Sequence, residues 1–223
     1  NAERALKTVD NLLSFVKDGQ GKPSAAERAI FAATVVFLYG IWENYVEQLA
    51  IEVVQHVSNE TTADRVPEQV RRSLEKKIAW ELAIHPGWKA LWVESVTIAA
   101  VGDDAERFGM NTAKAGQVKN LLITAGALDP FADIPPDVVP SHLEGSTTTA
   151  GDAINKLVEL RGEIVHTGKV PNALRKHHVL EWRDFVAIAC RDGMVRHELN
   201  AGVWARSSAV QQIIQAAGLT SAA

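Results

Sequence analysis

The chain has 223 residues, of which 47% are apolar, and it carries a formal net charge of −4 at neutral pH. This length and composition suit a globular protein with a sizeable core, and the acidic balance argues against a protein that coats nucleic acid indiscriminately. A single cysteine, Cys190, excludes an internal disulfide and a cysteine-rich metal site. No stretch reads as a signal peptide or as an apolar run of about 20 residues, so we expect a soluble, cytoplasmic protein without a membrane partner.

The first segments of the chain have helical periodicity. Residues 2–18 place apolar side chains at helical spacing, which predicts a first helix. Ser24 and Glu27 then form a capping box that opens a long helix to about Val57. Its apolar stripe recurs at nearly heptad spacing, as is typical of a helical bundle or a subunit interface. The stripe consists of Leu38, Trp42, Tyr45, Leu49 and Val53.

The middle of the chain predicts shorter helices and one long loop. Helices are expected at 67–84, where four basic residues lie close together, at 88–100, and at about 117–125. Residues 129–148 contain four prolines and are too long for a routine connection, which indicates a functional or mobile loop. We expect one domain over residues 1–223, because the part that follows this loop has little core of its own.

Residues 152–168 predict a helix with a charge on its apolar stripe. At 3.6 residues per turn, Ile154, Leu157, Val158 and Val165 share one face, and Arg161 falls in the middle of it. A guanidinium stays charged in proteins, so at this position it needs a partner, a water-filled cleft or an anionic ligand. His166 follows, with Gly168 placed for a left-handed helix cap. The side chains of Arg161 and His166 lie about 140° apart on an ideal helix and would flank a cleft.

The last part of the chain predicts two further helices, from about Ala173 to Asn200 and from Ser207 onward. The span from Lys169 to Arg206 holds seven basic and four acidic residues, a net charge of +3, which leaves −7 for the rest of the chain. This basic span suits a phosphate ligand, but a solvated helix face with mixed charges fits equally well. His177 and His178 are adjacent and point about 100° apart, which makes a poor metal pair.

The fold class follows from these segments. Every periodic stretch is helical and none alternates as a strand does, so we predict an all-α bundle of about seven or eight helices. A long proline-containing loop precedes the helix that carries Arg161. The nucleotide-binding and metalloprotease motifs are absent from the sequence, so we expect neither a metal nor a cofactor.

Three stretches together resemble one known family. LVELRGEIVHTG, which ends at Gly168, resembles the R-x-x-x-x-H signature of the HEPN superfamily, most closely its RiboL-PSP-HEPN-like branch. FLYGIWENYVEQLA, from Phe37, is similar to the early helix of that branch. FGMNTAKAGQVKNLLITAG, from Phe108, is similar to its middle segment. The chain departs from the family at Gly162, where active members usually have Asn, Asp or His.

The resemblance implies a metal-independent endoribonuclease that acts as a homodimer in a defence, stress-response or toxin–antitoxin system, with an antitoxin or sensor protein as a further partner. The implied catalytic residues are Arg161 and His166, and Glu163 could orient either of them. In this interpretation Lys169, Arg175 and Lys176 contact RNA. Two alternatives remain: a degenerate domain that binds RNA, a nucleotide or a partner protein without cutting, and a structural dimerisation module in which Arg161 forms an interface ion pair.

Overall fold

The computed structural model describes residues 2–18, 21–60, 87–103, 108–127, 130–131, 134, 136–143 and 149–190. These residues form six α-helices and two short 3₁₀ helices and contain no strand, which confirms the all-α prediction. The expected helices at 67–84 and from Ser207, and the part of the basic span beyond Cys190, lie outside the described residues. The α-helices are α1 (Ala2–Ser14), α2 (Ala25–Glu60), α3 (Trp88–Val101), α4 (Ala115–Ala125), α5 (Ala150–Thr167) and α6 (Lys176–Ala189), and the 3₁₀ helices are η1 (Pro136–Val138) and η2 (Ser141–Leu143).

Local signals in the sequence placed the start of α2 correctly. The Glu27 backbone N–H donates to Ser24 Oγ at 3.2 Å, and the Ser24 N–H donates to Glu27 Oε2 at 2.8 Å. These reciprocal bonds are the predicted capping box, which satisfies two donors that the helix itself cannot use. They also lower the pKa of Glu27, chiefly because the Ser24 backbone N–H favours the carboxylate.

The described residues cluster into two compact units. The first contains α1, α2 as far as Tyr45, residues Ala113–Ala115, and the described residues from Ile134 onward. The second contains α2 from Val46, α3, and α4 from Gly116.

In the first unit α1 packs against α6, and both helices turn their apolar faces inward. The two helices are also joined by charge: Arg183 binds both carboxylate oxygens of Asp10, at 2.9 and 2.8 Å. Buried side chains form the core here, and Cys190 lies among them as a small buried residue. The largest are Phe31, Leu38, Trp42, Tyr45, Ile154, Leu157, Trp182 and Phe185.

In the second unit α3 and α4 meet at a tryptophan. Trp92 is fully buried, and its indole N–H donates to the Thr124 carbonyl at 2.7 Å. Gly126 ends α4 with a φ of +103°, and a Cβ at this position would lie 3.2 Å from Val57. Glycine is therefore required there by backbone conformation and by space together.

Helix α2 differs from one expectation. Within the described residues, its segment Ala25–Asn59 is long and apolar enough to cross a membrane by length and composition, and half of its most apolar window is buried inside the protein. The sequence analysis had found no such stretch, because polar residues interrupt the run. A core helix of a bundle passes the same test, so cytoplasmic location stays a prediction.

Candidate functional site around Arg161

The helix that carries Arg161 is capped at both ends. Thr149 is the N-cap of α5, and its Oγ1 accepts the Asp152 backbone N–H at 3.1 Å. At the other end Gly168 adopts the left-handed conformation, φ +66°, and donates its N–H to the Ile164 carbonyl. This is the predicted glycine cap, and it fixes the last turn, where His166 lies.

The face of α5 is mostly as predicted, with one correction. Ile154, Leu157 and Val158 are buried, but Val165, which was expected beside them, is 49% exposed. Ile164 is buried instead. Ala150 and Ala153 are buried as well. At about 100° per residue these two positions turn the centre of the buried face away from Val165 and toward Ile164.

Arg161 lies against an aromatic ring rather than beside a carboxylate. Its guanidinium carbon is 4.9 Å from the centre of the Tyr39 ring, within the range of a cation–π contact. Its Nε is buried and has no hydrogen-bond partner. Among the described residues the guanidinium forms no ion pair. The sequence predicted a charge in need of a partner, and the structure supplies only a ring.

Tyr39 is held by polar contacts at its hydroxyl. The hydroxyl donates to Glu43 Oε1 at 2.6 Å and accepts the Ala113 backbone N–H at 3.0 Å. Burial and the bond to Glu43 raise the pKa of Tyr39 to about 12. The phenol therefore stays neutral at physiological pH, and its ring is a fixed, uncharged surface beneath the guanidinium.

His166 is exposed to solvent in the last turn of α5. It makes no hydrogen bond or ring contact with another described residue. An ideal helix separates its position from that of Arg161 by about 140° and about 7.5 Å along the axis. Within one chain, no contact joins the two side chains of the predicted pair.

Glu163 is the third predicted catalytic residue, and it too is exposed. Its backbone carbonyl accepts the Thr167 hydroxyl, but its carboxylate binds no other described residue. The described contacts therefore give Glu163 no orienting role toward Arg161 or His166. Gly162 lies in ordinary helical conformation, and a Cβ added there would meet nothing within 4 Å.

The three residues expected to contact RNA differ in their availability. The side chain of Lys169 is exposed and makes no contact with another described residue. Arg175 turns one nitrogen onto the carbonyls of Asn172 and Leu174. Lys176 binds the Val16 carbonyl at 2.8 Å and Asp18 Oδ1 at 2.6 Å. Lys176 thus binds the segment that follows α1. Of the three residues, Lys169 is the one whose side chain contacts no other described residue.

No group of His, Cys, Asp or Glu side chains within the described ranges could hold a metal ion. The adjacent His177 and His178 do not form a metal site, and the His178 ring stacks on His142 instead. The site therefore consists of a cation on a neutral ring, an exposed imidazole at the end of the same helix, and one free lysine.

Tyr39 and Glu43 were missed by the sequence analysis as part of the site. They lie one turn apart on α2, inside the stretch from Phe37. This spacing of four residues places both side chains on one face of the helix, and it was the signal available in the sequence. Comparison of the chain with family models, with curated proteins and with solved structures found no match.

Proposed function

We propose that the protein is a metal-independent endoribonuclease that acts as a homodimer. One observation supports the proposal: the Arg161 guanidinium lies on a neutral ring and forms no ion pair with a described carboxylate. A phosphodiester is the chemical partner that such a guanidinium suits, because its planar donors match two phosphate oxygens.

The chemistry needs only groups that α5 carries. In RNA the 2′-hydroxyl attacks the neighbouring phosphorus, and the 5′-oxygen of the next nucleotide leaves, which gives a cyclic phosphate and a free 5′-hydroxyl. An imidazole can take the first proton or give the second near neutral pH. A guanidinium stabilises the charge that builds up on the phosphate oxygens. His166 and Arg161 have these roles in the proposal.

A second copy of the chain would complete the site. Arg161 and His166 are far apart around one helix, so a single chain cannot direct both side chains at the same phosphate. A two-fold axis near α5 would bring the Arg161 of one subunit toward the His166 of its partner. The exposed Val165 and the unobstructed Gly162 lie on the same part of α5. A setting in defence, stress response or a toxin–antitoxin pair belongs to the same proposal.

A second candidate is a domain that binds RNA without cutting it. The observation that favours it is the free carboxylate of Glu163 together with the glycine at 162, since neither position places a polar group beside Arg161. In this case the cation would bind phosphate and His166 would have no chemical role.

A cleavage assay on total RNA distinguishes the two candidates. The wild-type protein is incubated with RNA in EDTA and, separately, in magnesium, beside His166→Ala. The proposal expects equal cleavage by wild type in both buffers, cyclic-phosphate ends on the products, and at least a 100-fold loss in the variant, the usual contribution of general acid–base catalysis being about 10²–10⁴. DNA of the same sequence is the substrate control, because it lacks the attacking hydroxyl.

Two results would replace the proposal. If wild type leaves RNA intact in both buffers but binds it as tightly as His166→Ala does, the protein is the binding domain of the second candidate. If sedimentation finds only monomer at micromolar concentration while cleavage persists, the homodimer part of the mechanism is wrong.

A further inference from the structure

A second cluster of titratable groups lies on α6, away from Arg161. Glu181 receives three hydrogen bonds from two consecutive residues of η2. Ser141 Oγ donates to Oε1 at 2.7 Å, the His142 backbone N–H donates to Oε2 at 3.3 Å, and His142 Nδ1 lies 2.5 Å from the same Oε2. One carboxylate on a rigid helix thus fastens this 3₁₀ turn.

Three histidine rings lie beside the hydrogen bonds between Glu181 and η2. The His142 ring stacks on His178 with centroids 4.4 Å apart, and His177 meets His178 edge-on at 4.1 Å. The Trp182 ring meets His142 nearly at a right angle, with centroids 5.7 Å apart. One of the three imidazoles, that of His142, contacts the carboxylate, and the other two lie beside it. Glu181 can balance one imidazolium, and a second proton on the stacked ring would place like charges side by side.

Among the described residues, the other charged groups near the cluster offer no second anion. On α6, the N-cap Arg175 adds positive charge near His178. Asp18, after α1, pairs with Lys176, and Asp10 of α1 pairs with Arg183. Asp137 of η1, which also packs against α6, is exposed to solvent.

The turn that Glu181 fastens precedes the helix of the candidate site. η2 ends at Leu143, and the described chain resumes at Thr149, the N-cap of α5.

We propose that Glu181, His142 and His178 form an acid-released latch, which holds η2 on α6 at neutral pH and lets it go when His178 gains a proton. The latch is a property of the fold and does not depend on ribonuclease activity. The segment that it holds is η2, and protonation of His178 releases it.

The direction of the titration agrees with release by acid. Burial, followed by electrostatic repulsion from the neighbouring His142 and His177 rings, lowers the pKa of His178 below its ordinary value of 6.5. The released state binds the proton more readily, so the latched state loses stability as pH falls through 6.5, and the loss levels off below the pKa of the latched form. Burial acts to raise the pKa of Glu181, but the hydrogen bonds from His142 and Ser141 outweigh it and lower the value to about 2. A further loss therefore follows below pH 4.5.

Amide hydrogen exchange on the full chain tests the latch. Exchange of the peptide that covers residues 136–143 is measured at pH 7.5 and 5.5 and corrected for the intrinsic rate at each pH. We expect protection to fall at pH 5.5, by up to about tenfold for each unit that separates the pKa of His178 in the two states. Protection of α1 is the internal reference and should not change.

Three variants sharpen the test. His178→Phe keeps a stacked ring and removes the titrating group, so protection of 136–143 should become independent of pH over this range. Glu181→Gln can still accept the Ser141 bond but cannot balance an imidazolium, so release should begin at higher pH. His177→Asn is the matched control: its ring does not contact η2, and pH-dependent release should persist.

Equal protection of 136–143 at both pH values in wild type would overturn the latch, and so would an unchanged pH response in His178→Phe. If the variants fold poorly, nuclear magnetic resonance of the wild-type imidazoles decides the question. A His178 ring that titrates at 6.5 or above would also overturn it.

Discussion

The guanidinium of Arg161 on α5 lies over the ring of Tyr39 on α2, with the guanidinium carbon 4.9 Å from the ring centre. Tyr39 in turn holds the Ala113 backbone N–H through its hydroxyl. The cation is thereby placed by packing against a neutral ring, not by a countercharge. Among the described residues no carboxylate pairs with it, so the guanidinium could still bind an anionic group from a ligand or from a second subunit.

Arg161→Met tests this distinction through stability. Methionine has similar length, packs on aromatic rings through its sulfur, and removes the buried Nε that has no partner. We expect the free energy of unfolding to stay within about 1 kcal/mol of wild type, while RNA affinity falls. Urea denaturation and a binding titration measure the two quantities. A loss of about 3–5 kcal/mol would instead indicate a buried ion pair.

Tyr39→Phe and Tyr39→Leu separate the two contributions of the tyrosine. Phenylalanine keeps the ring beneath Arg161 but leaves the buried Ala113 N–H without an acceptor, so we expect about 1–3 kcal/mol of destabilisation and little change in RNA affinity. Leucine removes the ring as well, and affinity should then fall. If both variants bind RNA equally, the ring does not position the guanidinium.

Sequence reasoning reached the features that local patterns encode. Helix α5 (Ala150–Thr167), which was predicted over residues 152–168, follows from periodicity and cap chemistry, as do its glycine cap and the burial of Ile154 and Leu157. The contacts of Arg161 with Tyr39 and of His142 with Glu181 could not be predicted in this way. Each joins segments that are distant in sequence, and tertiary packing alone brings them together.

The same limit applies to Lys176, which was predicted to contact RNA. A count of charges in the span from Lys169 to Arg206 treats every lysine as available. The ammonium of Lys176 is bound by Asp18 and by the Val16 carbonyl, at the end of a different helix, whereas Lys169 follows the α5 cap and reaches solvent.

Lys169→Met and Lys176→Met therefore form a matched pair with opposite expected effects. Lys169→Met should weaken RNA binding and reduce the slope of log affinity against log salt by about 0.7, the value for one phosphate contact on a single strand, without a change in stability. Lys176→Met should lower the free energy of unfolding, because it removes the hydrogen bond that holds the Val16 carbonyl, and should keep the salt slope. Equal salt slopes for wild type and Lys169→Met would exclude Lys169 from the RNA contact.

Gly162 offers a gain-of-function prediction, because the structure leaves room for a side chain at this position. A Cβ there meets nothing within 4 Å, and the glycine has ordinary helical conformation. Gly162→Ala should therefore stabilise α5 by about 0.5–1 kcal/mol, since alanine loses less backbone entropy in a helix. Gly162→Asn adds a polar group next to Arg161 in sequence. Asn is one of the residues that active members of the resembled family usually carry there.

The cleavage assay tests this substitution. We expect Asn to raise the rate above both wild type and Ala. If Ala and Asn raise it equally, the gain comes from a more rigid α5 and not from the amide. If neither changes a measurable rate, position 162 does not limit the chemistry.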